Sequence, residues 1–425
     1  SESSIADFVF AYHQHTNSAD LEGRSPESIR TTVLSHAQLG ERRNSGEVLV
    51  RALTPAGARH SVVQVILDDM PFLVDSLTSL LSRTGRGVHR VIHPILFVER
   101  EADGGLVAAH KSETQKSIAE SWTEFEINRL LTDADHRAVE AAVHEVLNQV
   151  IAVTSDWSVM RQRCVDLASE WRSTPPAAVA ASDVTETVDL LQWLANNHLT
   201  FLGYRYYDLS DDGQKLESVD GTGLGLLKHR ASSTRDLSLM PAAARELLLS
   251  KHPLVLTKSS QKSSVHRHVY MDYFGIKKFD SAGRVVGEHR FLGLLSREAY
   301  SDSVLHIPVM RHVARQVLEA AGAIEGSHSY RDLLQFLETF PRDEMLQVDS
   351  KWLSNTAAQA LAGQNRRGSQ AFFHADLWGR FVSAFIYLPR DVYNTTVRQK
   401  IEKLLAEYLP AAEIDSAVLL GDSNL

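Results

Sequence analysis

The spacing of apolar residues changes period near residue 68. Ser61-Val62-Val63-Gln64-Val65-Ile66-Leu67 is β-branched and bounded by polar residues, which predicts a buried strand. Leu73, Leu77, Leu80 and Leu81 then fall at helical spacing, one stripe of a helix ending near Gly85 and Gly87. Val88 to Arg100 predicts another strand, Asp103-Gly104-Gly105 a turn into a shorter one, and Trp122, Phe125 and Ile127 a further strand. Val139, Val143, Val146, Leu147 and Val150 stripe a second helix. Strand-helix-strand-strand-helix, with a closing strand left open, suits a small sheet with helices on one face.

Upstream, residues 5 to about 50 read as polar and mostly helical, with Ile5, Phe8, Val9 and Tyr12 as a short apolar stripe. Downstream, Trp157, Met160, Cys164, Leu167 and Trp171 mark a long helix that Thr174-Pro175-Pro176 ends. A middle module opens with a helix bearing Val188, Leu191 and Leu194. Strands follow over His198–Asp208, Leu254–Lys258, Val265–Asp280 and Arg284–Ser296. Asp280-Ser281-Ala282-Gly283 joins the last two as a hairpin. Long antiparallel strands with helices to one side suggest a PAS-like, sensory α+β shape.

The final stretch repeats the first order. Met345–Val348 predicts a strand, and Asp349 or Ser350 caps a helix carrying Leu353, Ala357, Ala360 and Leu361. A hairpin over Ser369–Leu388 turns at Trp378-Gly379, and Val397, Ile401, Leu404, Leu405 and Tyr408 stripe a helix. Ile414–Leu420 would supply the last strand of a complete βαββαβ unit. The expected division is a helical segment at 1–59, an α/β module at 60–155, and a helix with linker at 156–182. The central module follows at 183–325, then a helix plus a second βαββαβ module at 326–425, a multi-domain α+β chain.

With 425 residues, about three domains of ordinary size are expected. A hydrophobic share of 44% and a charged share of 23% describe a soluble globular protein. The net charge of −9, with no Lys/Arg run to offset it, argues against nucleic acid as a partner. The single cysteine, Cys164, cannot form an intrachain disulfide, which fits a reducing cytoplasm. No apolar run reaches the ~20 residues a membrane span needs, and Ser1-Glu2-Ser3-Ser4 does not read as a signal peptide.

Candidate chemistry gathers at Asp68-Asp69-Met70-Pro71-Phe72-Leu73-Val74-Asp75-Ser76, where strand becomes helix. Pro71 suits a first helical turn, Asp69 suits a cap, and the outward N–H groups could seat a small anion. The plainer reading is capping alone. Gly221-Thr222-Gly223-Leu224-Gly225 lacks the spacing and strand-helix context of a dinucleotide fingerprint and reads as a glycine-rich turn. His13-Gln14-His15 and His266-Arg267-His268 space imidazoles by two, but no further ligand completes a metal site. His93, before Pro94, reads as a packed histidine. Arg342 and Arg390, each in a Pro-Arg-Asp run, could clamp a carboxylate or another protomer, or simply pair locally at turns. No Ser/His/Asp or Cys/His arrangement stands out, and Asp68, Asp69 and Asp75 make a poor acid–base pair.

Asp69-Met70-Pro71-Phe72-Leu73-Val74-Asp75 resembles the opening of an ACT domain, the βαββαβ module of amino-acid-regulated enzymes, which usually reads Asp-x-Pro-Gly-Leu. The resemblance implies a ligand-binding turn at Asp69, Met70, Pro71, Phe72, Leu73 and Asp75, with Phe72 standing where a glycine admits the ligand. Further phrases follow in order: His93-Pro94, Phe201-Leu202-Gly203-Tyr204-Arg205, Ser264-Val265-His266-Arg267, Arg290-Phe291-Leu292-Gly293-Leu294 and Ile307-Pro308. Thr339-Phe340-Pro341-Arg342-Asp343-Glu344 and Pro389-Arg390-Asp391-Val392-Tyr393-Asn394-Thr395 close the series. Together they resemble the amino-terminal, ACT-containing regulatory region of the large NAD-specific glutamate dehydrogenases of bacteria. That family oxidises glutamate to 2-oxoglutarate and ammonia in large homo-oligomers, with catalytic and dinucleotide-binding domains carboxy-terminal to this region. The resemblance therefore implies no cofactor in this chain and NAD in the catalytic domain. It also implies an assembly role with further copies and that domain as partners, sensing of an amino acid or no ligand at all, and no turnover alone.

Overall fold

The structure, a computed structural model, describes residues 2–418 other than 15, 17–20, 23–24, 365–367 and 410–412. Two compact units divide the chain. One holds Ser1–Trp157, Leu224–Leu226 and Gln261–Tyr270, and the other Ser158–Gly223, Leu227–Ser260 and Met271–Leu425.

In the first unit, helices α1 (Glu2–His13) and α2 (Pro26–Leu39) precede β1 (Leu49–Leu53) and β2 (His60–Asp68). Ser25 caps α2 by accepting the Ser28 N–H, and Pro26 occupies its first turn, where no amide is needed. Then come α3 (Leu73–Arg83), β3 (Val88–Ile92), β4 (Ile95–Arg100), β5 (Leu106–His110) and β6 (Ile118–Asn128). The sheet runs β1-β2-β6-β4-β5, and β3 also pairs with β6. Pairing of β2 with β1, β2 with β6 and β4 with β6 is antiparallel throughout. The expected strand over 88–100 is thus two strands, broken at His93-Pro94. Proline has no N–H to give a ladder, yet the Pro94 carbonyl still accepts the Trp122 amide at 3.0 Å.

Apolar residues explain the layers. Leu73, Leu77, Leu80 and Leu81 of α3 are buried, as are Val63, Val65, Ile66 and Leu67 of β2. Trp122, Phe125 and Ile127 of β6 are fully buried, with Tyr12 and Val33 packed into the Trp122 cluster. In a βαββαβ unit the edge beside the first strand belongs to a strand that follows the second helix. Here β1, which precedes the unit in sequence, fills that edge. Among the described residues no strand after β6 joins this sheet. A single helix, α4, runs Asp133–Ser173 over 41 residues and covers both apolar stripes that the sequence suggested as separate helices.

The second unit begins in the later part of α4. After Pro175-Pro176 comes α5 (Ala181–Trp193), whose Val188, Leu190 and Leu191 are buried. It widens into a π-type turn at Leu194–His198, in which Asn197 holds φ 64°. Strands β7 (Leu199–Leu209), β8 (Lys215–Ser218) and β10 (Thr234–Asp236) lead to α6 (Ala242–Leu249), the short β9 (Leu224–Gly225) between them being counted in the first unit. Strands β11 (Leu254–Lys262), β12 (Tyr270–Phe279) and β13 (Val285–Leu295) follow, and the sheet path is β10-β8-β7-β13-β12-β11. The β12–β13 hairpin turns at Asp280–Gly283 as expected, with Gly283 at φ 77°. The strand expected from Val265 starts only at Tyr270.

Helices α7 (Arg297–Ser301), α8 (Met310–Ala320), α9 (His328–Thr339), α10 (Arg342–Met345) and α11 (Ser350–Gln364) come next. The strand expected at Met345–Val348 is absent because the backbone bonds helically: the Met345 N–H reaches Pro341 O and the Val348 N–H reaches Glu344 O. Asp349 caps α11, accepting the Trp352 N–H at 2.8 Å. Strands β14 (Gln370–Ala375) and β15 (Val382–Tyr387) pair as the expected hairpin, and α12 (Thr395–Tyr408) follows. Residues 414–418 form no strand, and 419–420 of the expected closing strand lie outside the described residues. The second βαββαβ pattern is therefore represented by a two-stranded sheet and its helices. Among the described residues no helix is long and apolar enough to cross a membrane.

Candidate functional site

The turn from β2 to α3 differs in detail from the sequence reading. Phe72 stands at the helix N-cap in a left-handed conformation, φ 73° and ψ 1°, and no side chain caps the helix. Pro71 therefore lies outside the helix, and Asp69 does not cap it. Instead the Asp69 N–H continues the sheet, donating to Ala119 O at 3.0 Å. Burial raises the Asp69 carboxyl, opposed by His93. Burial likewise lowers the His93 imidazole, opposed by Asp69. His93 Nε2 meets Ser121 Oγ at 2.9 Å, so it is packed and partnered. Met70 Sδ receives the Thr154 hydroxyl at 3.5 Å, and Leu73 is buried.

A segment about 190 residues later lies over this turn, within the same unit. The Phe72 ring and the His266 ring have centroids 5.1 Å apart. The His266 N–H donates to Ser76 Oγ at 2.9 Å, and the same hydroxyl donates to Phe72 O at 2.5 Å. His266 Nδ1 lies 3.2 Å from Asp75 Oδ2. Val265 and Ser263 are fully buried, and Ser264 Oγ bonds Gln149 Oε1. Residues 263–269 are bends and coil rather than strand, so His266 and His268 do not share a strand face. His268 Nδ1 instead meets Ser263 O at 2.7 Å. Among the described residues no group of three or more His, Cys, Asp or Glu could hold a metal; His15 lies outside them.

Beside the turn lies a buried ion-pair cluster that sequence spacing could not reveal. Glu120, with no exposed surface, accepts Arg43 at 2.7 Å, Arg100 at 2.6 Å and the Trp122 indole N–H at 2.9 Å. Arg43 also bonds Asp68 at 2.7 Å. Every partner is spoken for, which makes it a structural brace for β4 and β6.

Arg342 is buried at the start of α10. Its guanidinium donates to Glu338 O at 2.9 Å and Asp302 O at 3.2 Å and pairs with Glu338 Oε2 at 2.8 Å. Arg390 is exposed in the turn after β15, remote in sequence from that cage. Gly221-Thr222-Gly223-Leu224-Gly225 leads into turns, not a helix, and a Cβ at Gly223 would meet Leu227 O at 2.4 Å. The segment does not open a helix, as a dinucleotide fingerprint would.

Comparison with known proteins follows the same order along the chain. Residues 8–143 match the family described as glutamate dehydrogenase, ACT1 domain. Residues 307–366 match glutamate dehydrogenase, helical motif 1, and residues 370–425 match its ACT2 domain. The stretch 345–364, read as the opening of the last βαββαβ unit, thus falls within the helical motif. The chain is 31% identical to an NAD-specific glutamate dehydrogenase of Halomonas elongata, covering 98% of this chain and 27% of that protein. It is 33% identical to one of Pseudomonas aeruginosa, over 96% of this chain and 26% of the relative. For one of Mycobacterium tuberculosis the figures are 28%, 94% and 24%. The chain spans about a quarter of the length of these curated relatives.

Proposed function

Since the chain belongs to the NAD-specific glutamate dehydrogenase family, as its ACT-containing amino-terminal region, we propose that it is that enzyme's regulatory and assembly segment. The ordered ACT1, helical-motif and ACT2 matches carry this reading. In the whole protein, L-glutamate, NAD and water would give 2-oxoglutarate, ammonia and NADH, with NAD held by a catalytic domain outside this chain. Alone, the chain would not turn over glutamate. We further propose that it works in the cytoplasm within a homo-oligomer, and that the central antiparallel sheet is a PAS-like module. An amino acid or related metabolite would bind near Asp69, Met70, Pro71, Phe72, Leu73 and Asp75.

A second reading, a ligand-free assembly scaffold, is favoured by one contact. Phe72 and the His266 segment cover the turn at which an effector would sit. The thermal midpoint of the chain against a panel of amino acids and 2-oxo acids separates the two, because a ligand of the native state raises it by mass action. A saturable rise with one compound supports sensing. A midpoint indifferent to the whole panel removes the sensor and leaves the scaffold.

A further inference from the structure

The second unit draws four charged side chains into one partly buried cluster. Lys258 on β11 lies 3.2 Å from Asp272 on β12 and pairs also with Asp343 at the start of α10. Glu344, next along α10, acts on the same ammonium, so three carboxyls share one cation. Like charges this close oppose one another's ionisation in a site largely screened from water, and burial raises both Asp272 and Glu344, so one of the two is the first to keep a proton.

The donors show which one. Asp272 receives Lys258 on Oδ1 and the Leu295 N–H on Oδ2 at 3.0 Å. Asp343 receives the Lys258 ammonium. Among the described residues Glu344 has only a neutral donor, the Ser383 hydroxyl on β15, at 2.9 Å from Oε2. The neighbouring charges are already committed: Arg380 pairs with Asp376 at 2.8 Å and donates to Thr257 at 2.7 Å. Gln347 meets Thr257 at 3.2 Å, and the His374 imidazole, near Asp376 and Asp349, is lowered by burial.

We infer that Glu344 is a proton-operated latch: as a neutral acid it lets α10 pack against β15 without a second buried charge beside Asp343, and losing its proton loosens that junction. Burial, with Asp343 beside it, pushes the Glu344 carboxyl up to about 7, against the pull of Ser383 and Lys258. The latch therefore works in the neutral range. A carboxyl raised in the folded state adds stability that is full below its ordinary value of 4.5 and is lost as pH rises through about 7. Because α10 lies in the helical-motif match and β15 in the ACT2 match, the latch would make their junction respond to proton concentration.

The test is the thermal midpoint of the full chain from about pH 5.5 to about pH 8.5, with amide exchange at 382–387. Relative to Glu344→Gln at each pH, the midpoint of the unaltered chain should fall by about 4 °C across that range, and Glu344→Gln should exchange more slowly at the alkaline end. Ser383→Ala, which removes the donor favouring the charged form, should move the fall to higher pH. An unaltered chain with no fall relative to Glu344→Gln overturns the latch. Should Glu344→Gln not fold, a Ser383→Ala chain whose fall stays at the original pH does the same.

Discussion

Phe72 and His266 face each other with ring centroids 5.1 Å apart, and each holds a left-handed backbone, at φ 73° and φ 67°. A side chain in that region costs about 1–2 kcal/mol and persists only where its surroundings fix it. Ser76 supplies the fixing, since its hydroxyl joins Phe72 O to the His266 N–H. Phe72→Ala and Phe72→Gly both delete the ring, but glycine alone relieves the backbone. Phe72→Gly should therefore be the more stable by roughly 1 kcal/mol in urea denaturation of the first unit. Equal midpoints would mean that the left-handed turn carries no strain.

The segment over the turn should depend on its apolar anchor rather than on its ion pair. Val265 is fully buried, while Asp75 in the Asp75–His266 pair is 62% exposed. Val265→Ala should cost about 2 kcal/mol and raise amide exchange at 263–268, whereas Asp75→Asn should change stability by less than about 0.5 kcal/mol. The reverse order would make the charge pair the anchor.

Acid should unfold the first unit in two stages. Burial, helped by Arg51, lowers the His36 imidazole from 6.5 to about 3, so stability present above 6.5 is lost as pH falls toward 3. Burial alone would raise the Glu120 carboxyl, but Arg100 and Arg43 outweigh it and hold it below 4.5, so its contribution fades under that value. His36→Gln should flatten the first stage while leaving the second. Glu120→Gln, which leaves two arginines short of an anion, should cost roughly 3–5 kcal/mol at neutral pH. Circular dichroism against pH reads both.

Arg342 and Arg390 share a sequence context and should behave differently. Arg342 holds the end of α9 and the 302 carbonyl, so Arg342→Ala should cost about 2–3 kcal/mol. Exposed Arg390→Ala should stay within about 0.5 kcal/mol in the isolated chain. Any loss from Arg390→Ala should appear instead in sedimentation, as weaker self-association.

What sequence could read was local. The Leu73/Leu77/Leu80/Leu81 stripe and the Asp280–Gly283 turn declare themselves through spacing and residue type, and the structure has both. The stripes around Val146 and Cys164 were also legible, but not their continuity. No glycine or proline interrupts 151–156, and periodicity alone cannot tell one helix from two. Met345–Val348 has strand-like residues but no strand to pair with, so its amides bond helically. Phe72 gave no sign of its partner because His266 lies in another part of the chain. The Lys258, Asp272, Asp343 and Glu344 cluster was hidden for the same reason. Its members are ordinary polar residues until three separate elements bring them to one ammonium.

The origin of β1 bears on how the chain is made. With the outer strand drawn from upstream, the whole first sheet has left the ribosome once residue 128 has emerged, and it can close during synthesis. The helix after it has no strand to bring back, so it is free to run its full 41 residues, about 60 Å, without reversing. A shortened chain beginning at residue 60 would keep the strand-helix-strand-strand-helix order yet expose the bare edge of β2, and it should aggregate as it is translated.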